Sequence, residues 1–206
     1  QLCNSNGNST NDEYIGRVRL NTIDNSSGPG NTTTTGYSDF KYISTNLIEG
    51  QTYTIRVNPT WTGKKYNEGY RAWIDFNGNN AEDTGERILN KGKTKASEVS
   101  ATFTVPAGVT PGSVIMRVSM KYNGRPPFCG TFSYGEVEDY TINLIGNTPN
   151  AEINIKGSGN NIANGDSTPS TSDNTNFGST NVSGSVVSNT FNIENLGNAD
   201  LTIGSI

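Results

Sequence analysis

The run Asp75-Phe-Asn77-Gly-Asn79-Asn-Ala81-Glu-Asp83-Thr-Gly-Glu86 places oxygen-bearing side chains at loop positions 1, 3, 5, 9 and 12. A hard cation such as calcium is wrapped by that spacing, with a backbone carbonyl at position 7 (Ala81) and a bidentate glutamate closing the shell. The glycine stands at position 4 rather than 6, and the flanks read as strand, so a helix–loop–helix site is not expected. The alternative is an Asn/Gly turn whose acids hydrogen-bond backbone amides. A second acidic group is Glu136, Glu138 and Asp139. On a strand, Glu136 and Glu138 face one way and Val137 and Asp139 the other. Paired carboxylates do glycoside hydrolysis when they flank a scissile bond. Buried carboxylates equally serve as structural pins, and Arg71 and Arg117 are the expected bidentate partners; a share in a metal shell is a third option.

A third constellation, Trp61-Thr-Gly-Lys64-Lys65-Tyr66-Asn-Glu-Gly-Tyr70, combines three large aromatics with two lysines. An exposed ring stacks on the C–H face of a sugar while Lys and Asn bind hydroxyls, carboxylates or sulfates. The plain alternative is that Trp61 caps the core. The segment Lys121-Tyr122-Asn-Gly-Arg125-Pro-Pro-Phe128 offers a neighbouring wall, with Tyr122 and Arg125 as further ligand contacts. Lys91, Lys93 and Lys95 alternate and read as solvated surface.

The chain has no histidine, which removes Ser-His-Asp and Cys-His nucleophiles, histidine zinc sites and histidine general bases. Residues 1–145 balance acids and bases, and the net charge of −4 falls on residues 146–206. Nucleic-acid binding, which draws its affinity from a basic excess, is not expected. No stretch approaches the roughly 18 apolar residues of a membrane helix, so membrane insertion is not expected either. Gln1 opens the chain without a leader pattern, as in a piece of a longer protein. Cys3 and Cys129 bound the first part and suit an oxidising, extracellular setting. A disulfide there closes a long loop and stabilises by about 4–5 kcal/mol in the chain-entropy model; the alternative is two unrelated thiols.

These groups must be positioned by short apolar runs. Asn, Thr, Ser and Gly supply 98 of the 206 residues, and hydrophobic residues only 31%. The apolar residues cluster in seven β-like runs: 13–20, 36–43, 52–59, 70–76, 99–105, 114–122 and 136–144. Seven strands separated by Gly, Asn and Pro predict an all-β, antiparallel β-sandwich, jelly-roll or Ig-like. Almost no helix is expected; the most helix-like stretch is 91–100. Residues 1–145 form the sandwich, 146–150 a linker, and 151–206 a second, incomplete Ig-like β unit with thin core material.

Tyr134-Gly-Glu-Val-Glu-Asp-Tyr140 resembles the signature of the GEVED domain. Supporting pieces fall in order: Cys3, Glu13-Tyr-Ile, Gly36-Tyr-Ser-Asp39, Trp73-Ile-Asp-Phe-Asn77, Gly85-Glu-Arg, Thr102-Phe-Thr-Val-Pro106, Met116-Arg-Val-Ser119 and Cys129-Gly-Thr-Phe-Ser133. The resemblance covers roughly residues 1–145. It implies a β-sandwich accessory module of large secreted bacterial proteins, found beside peptidases, polysaccharide-degrading enzymes and adhesins. Residues 151–157, 176–178 and 190–202 look like the first half of an immunoglobulin-like choice-of-anchor D domain, whose remaining strands would lie beyond Ile206. The expected function is non-catalytic binding of an extracellular polysaccharide, neutral or anionic, for a secreted or cell-surface enzyme or adhesin, with calcium as cofactor and the parent's other domains as partners. The alternatives are a structural spacer or protein-interaction domain and, lowest, a carboxylate hydrolase.

Overall fold

The computed structural model describes residues 2–147, 151–184, 186–197 and 199–204. The chain divides into two units, Gln1–Asn147 and Thr148–Ile206. Positions 148–150 of the expected linker and 185, 198, 205 and 206 of the expected second unit lie outside the described residues. Among the described residues there is no helix.

Among the described residues the first unit holds eleven strands: β1 (Ser5–Gly7), β2 (Glu13–Leu20), β3 (Ile23–Ser26), β4 (Tyr37–Ile48), β5 (Thr52–Trp61), β6 (Glu68–Ile74), β7 (Arg87–Thr94), β8 (Val99–Thr104), β9 (Gly112–Tyr122), β10 (Gly130–Phe132) and β11 (Gly135–Ile145). One sheet runs β4-β11-β9-β6-β7 and the other β3-β2-β5-β8. Period-two alternation, reset in β2 by a register shift between Ile15 and Arg17, turns Ile15, Val18, Ile55 and Val57 from the smaller sheet and Ala72, Ile74, Met116, Val118, Tyr140 and Ile142 from the larger into a single apolar core. The β-sandwich is as expected, with β4 parallel to β11 inside the larger sheet and β1 parallel to β10 as a separate two-stranded sheet. Parallel neighbours need a long connection, and the chain supplies it by building β5 to β10 between β4 and β11.

The stretch 91–100 is not helical. Its first half belongs to β7, an edge strand whose alternation is blurred by Gly92 and by exposed Lys91 and Lys93; Lys95, also exposed, follows it. Lysines on an exposed edge discourage pairing with another chain.

Among its described residues the second unit has one three-stranded sheet, β13-β12-β14, from β12 (Ile153–Gly157), β13 (Asn160–Ile162) and β14 (Phe191–Asn195). Ile153, Ile155 and Ile193 stay exposed, as do Val182 and Val186, and 182–187 contains no strand among the described residues.

Candidate binding site

Glu136, Glu138 and Asp139 stand on β11 between β4 and β9. Glu136 points into the sandwich, where its carboxylate accepts from the Ile15 amide (3.0 Å), the Gly30 amide (2.8 Å) and the Ser38 hydroxyl (2.6 Å). Glu138 accepts from Ser27 (2.8 Å) and from the Tyr140 hydroxyl (2.7 Å), which itself receives the Asn25 amide. Burial, with Glu136 alongside, pushes the Glu138 carboxyl up to about 8, and burial raises Glu136 as well. Asp139 faces the other way and pairs bidentately with Arg117 at 2.8 Å on both arms, with the Tyr37 hydroxyl at 3.1 Å. Arg117 also donates to the carbonyls of Cys3 (2.8 Å) and Phe128 (3.1 Å), and its guanidinium lies over the Phe128 ring. The signature strand is therefore a set of pins that fasten the β2–β3 region, the β3–β4 loop and the disulfide-linked ends to the central sheet. The expectation for Arg71 is corrected: it donates to Asn90 and to the Pro126 carbonyl, because its β6 position faces β7 and the 125–128 loop. Glu136 and Glu138 are wholly buried with every oxygen engaged, so this pair offers a substrate no access.

In the Asp75–Glu86 loop the oxygens are turned onto the loop's own donors. Asp75 accepts the amides of Asn79 and Asn80, Asn77 that of Asn79, and Asn79 that of Ala81. The side-chain amides of Asn77 and Asn79 donate to Asp83, and the Asp83 amide donates to Glu86. This is a hydrogen-bonded Asx network. One oxygen, Glu86 Oε1, is buried without a hydrogen-bond partner. No group of three or more His, Cys, Asp or Glu able to hold a metal is gathered among the described residues.

The aromatic loops do converge. The Asn123 amide donates to the Asn67 carbonyl at 2.7 Å, and Gly69 lies so close that a Cβ would sit 2.2 Å from the Gly124 carbonyl oxygen. That stitching brings Tyr66 to Tyr122, ring centroids 5.7 Å apart and planes perpendicular. Tyr122 in turn meets Tyr134 at 6.0 Å, again perpendicular. Tyr134, absent from the expected set, is held there by the bond from the Tyr122 amide to its carbonyl and by Gly135, whose φ of 118° and approach to Met120 exclude a side chain. The only signal for it was its place at the head of the signature. Half-buried Trp61 carries Lys65 over its ring at 5.3 Å, and Lys64 lies over Tyr66 at 5.8 Å. One expected contact is corrected: Tyr70 is fully buried, since its strand position turns it into the core. Arg125 is exposed, with its guanidinium close to Gly92 on β7.

The tyrosine rings, with Asp12 and Glu13, line a cavity of about 190 Å³. A larger cleft of about 450 Å³, lined by Cys3, Tyr37, Asp39, Lys41, Arg117 and Asp139 among others, has its charges paired internally, Lys41 with Asp39 and Arg117 with Asp139.

Beneath Trp61 lies Glu68, wholly buried, accepting only the Trp61 indole N–H at 3.4 Å. Burial and the neighbouring Glu13 push its carboxyl up to about 7 from an ordinary 4.5. The folded state thus keeps a proton that the unfolded chain releases above pH 4.5. The stabilisation is complete below that value and is lost as pH rises to about 7, with Glu138 extending the loss to about 8. Glu68 alone accounts for about 3 kcal/mol, so thermal melts should show a markedly higher Tm at pH 5 than at pH 8.5, and Glu68→Gln should flatten that slope. A Tm that rises between these pH values would refute the assignment.

Residues 69–143, from β6 into β11, match the family model of the GEVED domain. No curated protein matches the chain. Among solved structures, a Niemann-Pick type C2 protein from Japanese carpenter ant is similar at 8% identity and a TM-score of 0.35, over 65% of this chain and 93% of that one.

Proposed function

We propose that residues 1–147 form a non-catalytic carbohydrate-binding module of a secreted or cell-surface bacterial protein, serving the substrate of the parent's other domains. The observation that carries this reading is the convergence of the β5–β6 loop, the end of β9 and the turn before β11, which brings Tyr66, Tyr122 and Tyr134 together, with Lys64 over Tyr66 and Lys65 over Trp61. Partly exposed rings of this kind give a sugar its C–H stacking platform. The Cys3–Cys129 disulfide favours an oxidising compartment, and no helix among the described residues is long and apolar enough to cross a membrane. Calcium belongs to the proposal as a ligand of the Asp75–Glu86 loop: Asp75, Asn77, Asn79, Asp83 and Glu86 would exchange their amide partners for the ion, and the unpartnered Glu86 Oε1 is the oxygen best placed to gain. Residues 151–206 are proposed as the opening strands of a choice-of-anchor D unit.

Affinity electrophoresis against neutral, uronic, sulfated and amine-bearing polysaccharides, with and without calcium, tests the reading. Retardation by at least one of them, weakened about tenfold by Tyr66→Ala, is the expected result. No retardation under any condition leaves the spacer reading in its place.

A further inference from the structure

The lysines of the binding surface are spent on their own rings, whereas the cavity between the tyrosines is lined by Asp12, Glu13, Tyr66, Tyr122 and Tyr134 and by no cationic residue. Three phenol rings meeting in two perpendicular pairs form walls of a box, and the face of each ring is the negative pole of its quadrupole. Lys64 already rests over Tyr66 without lining the cavity, so the chain's own ammonium uses one ring in this way.

The acidic side of the box is uncompensated. Glu13 is only 2% exposed and its Oε1 has no hydrogen-bond partner; behind it Glu68 Oε2 is likewise unpartnered. Among the described residues no ion pair reaches Asp12, Glu13 or Glu68. An anionic sugar entering this space would meet like charge, which counts against it. A neutral sugar would need several convergent donors and acceptors, and the lining supplies only carboxylates and phenols. At about 190 Å³ the cavity is smaller than the roughly 300–1,000 Å³ pockets that enclose whole ligands, so it takes a group rather than a molecule.

We propose that this cavity is a cage for an organic ammonium group, with the three tyrosines as its walls, Asp12 and Glu13 as counter-charge, and an amine-bearing sugar as the source of the cation. Only the source rests on the glycan reading above; the cage stands on its own lining. It also reverses the charge expected of the ligand, from anionic to cationic.

The test uses the full 206-residue chain and tetramethylammonium chloride, with tert-butanol as a neutral probe of similar shape, followed by tyrosine ring chemical shifts. Saturable binding of tetramethylammonium at least tenfold tighter than of tert-butanol supports the cage. Tyr134→Ala and the exposed Asp12→Asn, each checked to melt like the parent chain, should weaken it by about tenfold and several-fold. Equal response to both probes, or none to tetramethylammonium, overturns it. Glucosamine and N-acetylglucosamine oligomers then separate the two readings. Retention of the amine form alone, lost in Asp12→Asn, supports both. Ammonium binding with no glycan retained upholds the cage and overturns the glycan assignment. Glycan retention indifferent to N-acetylation, without a tetramethylammonium response, upholds the glycan reading and overturns the cage.

Discussion

Replacing Arg117 by Met is expected to destabilise the sandwich by about 3–5 kcal/mol. Arg117 is 3% exposed and engages both oxygens of Asp139, the carbonyl of Cys3, the carbonyl of Phe128 and the face of the Phe128 ring. Removing it strands a carboxylate in the sheet with only the Tyr37 hydroxyl for a partner. Trp73 packs edge-on against Phe128 at 5.3 Å, so the loss would spread into that contact. Urea denaturation with the disulfide intact measures the effect, and a change below about 1 kcal/mol would show that the ion pair is not a fastening. The double variant Arg117→Met/Asp139→Leu should recover most of the loss, because the penalty lies in the unpaired charge rather than in the absent pair.

Loss of the Cys3–Cys129 disulfide is the second large effect. The bond spans 126 residues of sequence, nearly the whole first unit. Freeing that loop adds about 4–5 kcal/mol of conformational entropy to the unfolded state. The double variant Cys3→Ala/Cys129→Ala should therefore lie close to its unfolding threshold, with the 2–7 segment the first to be cut by protease, since β1 contributes only three residues to its pairing with β10. A midpoint unchanged by reduction would contradict this. The two losses should not add, because Arg117 holds the Cys3 carbonyl and each fastening depends on the other.

Much of this fold was legible because burial on one face writes a period of two into the chain. The runs at 13–20, 52–59, 99–105 and 136–144 became β2, β5, β8 and β11 within two residues at either end. β7 was obscured because an edge strand rich in lysine has little apolar alternation to read. β1 and β10 are three residues each and exist only because tertiary pairing holds them. At the site, the aromatic character of 61–70 was visible but its orientation was not: Trp61 and Tyr66 reach the surface while Tyr70 belongs to the core. Arg71 and Arg117 are both arginines on central strands, and only register tells which of them lies opposite Asp139. Tyr134 joined the site through a backbone bond to Tyr122 that no local pattern announces.

The pinning of β11 has a consequence for the order of events during folding. Its carboxylates find their partners on Ile15, Ser27, Gly30 and Ser38, and its parallel neighbour β4 has no other partner in that sheet. A chain that emerges from its N-terminus must therefore hold β2, β3 and β4 without their counterpart until β11 arrives. Closure across so many intervening residues is slow, and until then exposed edges are open to mispairing. The stretch 69–143 that matches the family model carries the signature residues but none of those four partners; the smallest piece able to satisfy them begins no later than β2.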